Sequence, residues 1–120
     1  MPADQLLTSL GITNVVGFFL VLARIAPLFV IAPLFSSRMV PGRVRTIVAV
    51  GIAMGLYPLA LAGQQVPDEV GAIAALIVKE LLVGLAFATT VAILFAAVEA
   101  AGGFLDFLMG FAFGGALDPL

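Results

Sequence analysis

Residues 70–101 form an apolar run of 32 positions, and that run limits what the rest of the chain can become. As one helix rising 1.5 Å per residue it would measure about 48 Å, well beyond the ~30 Å hydrocarbon layer of a bilayer. A bend at Gly84, a strong tilt, or burial of one part against protein would each resolve the excess. Lys79, Glu80, Thr89, Thr90 and Glu99 lie inside the run. Lys79 and Glu80 are neighbours that project about 100° apart on a helix, so each needs a partner elsewhere.

Composition places the chain in lipid or inside a larger apolar assembly. It is 63% hydrophobic and 10% charged, with a mean hydropathy of +1.29, which is far too apolar for a soluble domain. A chain of 120 residues cannot hide so much apolar surface in its own core. The formal charge of -2 and a single basic cluster exclude a nucleic-acid surface, which needs a broad positive face. With no Cys and no His, disulfides, thiolate nucleophiles and His-based metal or hydrolase chemistry are excluded. The residues call for no cofactor and no metal, and no nucleophile and base pair points to an enzyme.

Two shorter apolar runs precede the long one. The N-terminal ten residues hold no Lys or Arg, and read as a helix that is retained, not a cleaved leader. Residues 12–34 are long enough to span a bilayer but contain Arg24, a charge that costs roughly 2.5–3.5 kcal/mol near the middle of a span. Either the span ends near Arg24, with Pro27 starting a loop, or Arg24 pairs with an acid elsewhere. Pro27 and Pro33, in a repeated Ala-Pro-Leu-Phe, are expected to kink or break the helix that enters this region. Residues 44–62 form the second span, in which Gly51 and Gly55 offer one face for close helix approach.

Charge asymmetry sets an expected topology. Arg38, Arg43 and Arg45 lie in the polar turn at residues 36–45, whereas the turn at 63–69 holds Asp68 and Glu69 and no base. Basic residues concentrate on the cytoplasmic side, so the first turn is expected inside and the second outside.

The last stretch is unlike a lipid-facing helix. At helical spacing Glu99, Gly103, Asp106 and Gly110 share one face, an acidic and small-residue stripe suited to a polar pathway or a tight protein contact. The bland alternative is a flexible connector followed by a short core helix. Gly110, Phe111, Ala112, Phe113, Gly114 and Gly115 then combine bulky apolar side chains with backbone freedom, as a movable hydrophobic stopper would, before Asp118 and Pro119 favour an extended turn.

These residues together resemble the N-terminal half of the FliR family, the flagellar export-gate subunits related to SctT of injectisome-type systems. The resemblance rests on Leu22-Ala23-Arg24-Ile25, Ala32-Pro33-Leu34-Phe35-Ser36-Ser37-Arg38 and Pro41-Gly42-Arg43-Val44-Arg45. It continues in Val78-Lys79-Glu80-Leu81-Leu82-Val83-Gly84 and in the run from Met109 through Phe113 to Asp118-Pro119. It implies an all-α membrane protein whose kinked, partly irregular helices coil within a hetero-oligomeric gate. Residues 1–120 would then be the N-terminal part of that membrane domain, with later helices missing.

The resemblance further implies FliP-type, FliQ-type and FlhB-type partners, unfolded protein substrates in transit, and a place in the flagellar basal body at the bacterial inner membrane. In such a gate Arg24, Lys79, Glu80, Glu99 and Asp106 are expected to be buried charges, and residues 110–115 the plug. The other classes compatible with the residues are a fragment of a secondary transporter or channel, which would share broken helices and buried charges, and a helical membrane anchor.

Overall fold

The computed structural model describes residues 2–118, with side chains at all of these except 4, 6, 7, 9, 10 and 111–113. Every element among them is helical: α1 (Ala3–Ile31), α2 (Pro33–Ser36), α3 (Gly42–Leu61), α4 (Val70–Met109) and α5 (Phe111–Leu117). The chain is all-α, and among the described residues three helices are long and apolar enough to cross a membrane.

The two prolines of the Ala-Pro-Leu-Phe repeat act differently. Pro33 ends α1, because a residue before proline is pushed out of the helical region, and Ala32 duly sits at φ -62, ψ 126. Pro33 then occupies the first turn of α2, where its missing N–H costs nothing. Pro27 is buried inside α1, and the helix continues through it. One hydrogen bond is forfeited there, but in an apolar setting the backbone groups on either side still need their helical partners. The alternative in which the span ended near Arg24 and Pro27 opened a loop is therefore overturned. Pro58 is likewise accommodated within α3, which ends only at Leu61, ahead of Gly63 in the left-handed region at φ 79.

Helix α1 is the hub: α3 and α4 both pack on it and barely touch each other. The core is small and built from small residues, with Ala32, Ala49, Ala53, Ala88, Gly17 and Gly84 buried beside Phe29 and Pro27. Phe29 stacks obliquely on Phe35 of α2, ring centres 4.6 Å apart, which ties the basic turn to the end of α1. Close approach occurs at two glycines, against a side chain at Gly17 and against a backbone at Gly84. A Cβ at Gly17 would lie 2.7 Å from Cγ of Leu61, and one at Gly84 would lie 2.7 Å from the carbonyl carbon of Arg24. Gly51 and Gly55, expected from spacing to admit a helix, have no atom near their absent Cβ positions. On α3 it is Ala49 and Ala53 that are buried, so the glycine face stays open.

Contacts and connectivity fix the directions. Gly17 meets Leu61, so α3 returns antiparallel to α1. The 62–69 turn then starts α4 near the N-terminal half of α1, and Gly84 lies level with Arg24, so α4 runs parallel to α1. Helix α4 has 40 residues and is unbroken at Gly84, a length of about 60 Å. The alternative of a flexible connector in the last stretch is thereby excluded as far as Met109. Residues 93–109 are exposed on every face, extending past the end of the α1–α3 pair on the side of the basic turn.

The consequence is a shape that does not enclose itself. The chain measures 79 × 23 × 21 Å with a radius of gyration of 21.5 Å, against about 14 Å for a compact chain of this length. Its accessible surface is 8943 Å², where a folded monomer of its mass would expose about 6,100 Å². Much of the excess is apolar, from Leu82, Phe87, Ile93, Leu94 and Val98 to Phe104, Leu105 and Leu108.

Candidate functional site: a charged groove and the corner after α4

Two helices, α1 and α4, bring charge together. Arg24 stands on α1 one turn before Pro27, and Glu80 on α4 one turn before Gly84. The missing side chain at Gly84 lets the two backbones close, and Nε of Arg24 then donates to Oε2 of Glu80 in an ion pair. Glu80 is largely enclosed, its side chain 15% exposed, while Arg24 remains 50% exposed. Each charge thus has an opposite partner instead of lipid, which is what an intramembrane ion requires. Of the two alternatives for Arg24, pairing with an acid elsewhere is the arrangement present.

The pair borders a groove of about 520 Å³ between α1, α3 and the start of α4. Gly17 and Val21 line it from α1, Leu56 and Leu59 from α3, Gln64 from the acidic turn, and Lys79 from α4. Lys79 is exposed and makes no ion pair among the described residues. Two of the polar residues of α4 need no outside help: the Thr89 and Thr90 hydroxyls donate to the carbonyls of Leu85 and Ala86, at 2.7 and 2.8 Å. Back-bonding of this kind lets a hydroxyl sit in an apolar helix without an unmet donor.

The remaining expected charges lie apart. Glu99 and Asp106 are exposed on the free half of α4, more than four turns beyond Glu80, and make no ion pair among the described residues. In the basic turn Arg38 and Arg43 are exposed, while Arg45 folds back so that its Nη2 donates to the carbonyl of Val40 at 3.4 Å. Nε of Arg45 is enclosed without an acceptor among the described residues.

The corner after α4 depends on one glycine. Gly110 is in the left-handed region, φ 73 and ψ 12, and its N–H donates to the carbonyl of Phe107, which ends α4. A residue with a side chain is strained there, so the glycine dictates where the chain turns. The segment after it is helical, α5, with Gly114 and Gly115 inside that helix, where the sequence suggests backbone freedom. Side chains 111–113, the aromatic part of the expected stopper, lie outside the described ones. Asp118 is extended, as a residue before proline should be.

Residues 15–120 match the family model for bacterial export proteins, family 1. The chain belongs to that family. Within it, the chain is 37% identical over 108 residues to the flagellar biosynthetic protein FliR of Bacillus subtilis (strain 168), and 34% identical over 102 residues to FliR of Escherichia coli (strain K12). These alignments take in 86% and 85% of this chain and 39% of each relative, so the chain spans about two fifths of the length of the curated relatives it matches. The resemblance to the FliR family read from the residues is thereby established, and Arg24, Lys79, Glu80 and Gly110 all fall within the matched stretch. No solved structure matches.

Sequence reasoning marked Arg24 and Glu80 but did not pair them, and it missed Gly17 altogether. A signal for the pairing existed in the sequence. Arg24 is the lone base of α1, and Glu80 stands one helical turn before Gly84, a residue suited to close packing. Only the register of α4 on α1 shows that Gly84 meets Arg24.

Proposed function

We propose that this chain forms part of the protein-conducting export gate of a bacterial flagellar secretion apparatus. It would sit at the inner membrane beside FliP-type, FliQ-type and FlhB-type subunits, passing unfolded protein substrates and acting as conduit, not enzyme. Family membership supports this, as does the flagellar biosynthetic role for which its FliR relatives are named.

The single observation that carries the reading is the free half of α4. A helix of about 60 Å cannot be covered by a ~30 Å hydrocarbon layer, and its last 17 residues, 93–109, are apolar nearly all round yet exposed. A helix apolar on every face belongs inside protein or lipid. Lipid is disfavoured, because this half projects beyond the basic turn that marks the cytoplasmic side and carries Glu99 and Asp106. Partner helices coiling around it satisfy both constraints, and would also bury Lys79, Glu99 and Asp106 alongside the Arg24–Glu80 pair.

In the same reading residues 110–115 act as the plug. A protein-sized pore must be closed between export events by an apolar constriction, and Phe111 and Phe113 supply apolar bulk next to a turn hinged on Gly110.

Affinity isolation of the full-length protein from native membranes tests the proposal. The expected result is co-isolation with other export-gate subunits and rapid loss of the chain when those are deleted. Stable insertion and persistence alone would identify a membrane anchor and overturn the reading.

A further inference from the structure

We propose that the groove beside Lys79 is a seat for an apolar membrane helix of another subunit, one that presents an Asp or Glu carboxylate to the Lys79 ammonium. The inference rests on the gate reading only in requiring a second membrane chain.

Charge balance at the groove is the first argument. Arg24 and Lys79 contribute two positive charges and Glu80 one negative, leaving one positive charge over. Glu80 is already engaged through Arg24 and largely enclosed, so it is not free to satisfy Lys79. The adjacent position of Lys79 on α4 turns it about 100° away from Glu80, onto the exposed side. A single carboxylate brings the group to neutrality.

Depth selects the kind of carboxylate bearer. Lys79, five residues before the Gly84 that packs on Arg24, lies about 12 Å along α1 from the start of its apolar span at Gly11 and about 18 Å from its end at Ile31. A lipid phosphate at either edge of that span is beyond the reach of a four-carbon lysine stem. An acidic side chain on a helix can be delivered to this depth. The groove suits such a helix in polarity: Leu56 and Leu59 give an apolar wall, and the cation stands at the rim. Charged groups inside a membrane pair with one another across helices, which is the recognition used here.

A photo-crosslinking residue in place of Leu59, in the full-length protein in native membranes, reads the occupant directly, with Met54, outside the groove, as the control position. The expected adduct at 59 joins a membrane helix of another subunit that contains Asp or Glu. Lys79→Glu should lower that adduct at least about tenfold, Lys79→Met should lower it to a smaller extent, and changing the partner's acid to Lys should restore it in the Lys79→Glu background. An adduct with lipid, with a helix of the same polypeptide, or with a helix lacking an acid overturns the proposal. So do undiminished adducts in both Lys79 variants.

The two readings fail separately. Co-isolation with export-gate subunits without the adduct at 59 removes the seat and leaves the gate. An acid-bearing helix from a chain outside the export apparatus removes the gate and leaves the seat.

Discussion

Gly84 lies against the main-chain carbonyl of Arg24, so closely that α4 could not rest on α1 at its present distance if position 84 had a side chain. A Cβ there would sit 2.7 Å from the carbonyl carbon and 3.0 Å from Cα of Arg24, both backbone atoms that cannot swing aside. The contact sets the height at which Glu80, one turn earlier, meets the Arg24 guanidinium. Close approach and ion pair are two results of one helix register.

Gly84→Ala should therefore destabilise the α1–α4 pairing by about 1–3 kcal/mol, the usual cost of overpacking. Gly102→Ala, at a helical position with open space around it, should be neutral or stabilising by up to about 1 kcal/mol. Thermal unfolding of the two variants in the same detergent checks the contrast.

Glu80→Ala should reduce assembly far more than Glu69→Ala. The first strands Arg24 at mid-span, a loss of about 3–5 kcal/mol if the site is fully enclosed by partners and less where Arg24 stays half-exposed. The second removes an exposed charge from a turn. Recovery of intact complex measures the difference, and equal yields would show that the ion pair contributes nothing to assembly.

The arginines at 38, 43 and 45 and the acids at 68 and 69 predict opposite sides for their turns. Single cysteines in place of Ser37 and Gln65, labelled with an impermeant reagent, should react from the cytoplasmic and periplasmic sides respectively. Labelling of position 65 only from the cytoplasm would reverse the assignment.

Phe111→Ala combined with Phe113→Ala should raise ion conductance in the assembled gate without abolishing assembly. Gly110→Ala forces a side chain into the left-handed region, φ 73, at a cost of about 1 kcal/mol or more, and should displace α5. Conductance of membranes containing each variant decides between stopper and packing. An assembled double variant no leakier than the parent would leave Phe111 and Phe113 with a packing role alone.

The sequence by itself determined the class of this protein, because hydropathy and charge placement act locally. Three runs too apolar for water, an arginine-rich turn and an acidic one define helices and their order without reference to any contact. Turn chemistry was legible in part for the same reason: Pro33 restricts Ala32 and Gly63 lies in the polar turn where α3 stops, whereas Pro27 carries the same signal as Pro33 and α1 runs on through it. What only the tertiary structure decided is which helix faces lie together. Gly17 and Gly84 permit close packing while Gly51 and Gly55 face outward, although all four are glycines in apolar helices. The choice comes from the register in which α3 and α4 meet α1, and a register is a property of two surfaces at once. Arg24 and Glu80, 56 positions apart, become partners on that account. Nor does local sequence distinguish a helix bent at Gly84 from one that runs straight past it. In α4 the backbone hydrogen bonds continue to Met109 because no proline interrupts them, leaving a helix too long for the bilayer to cover.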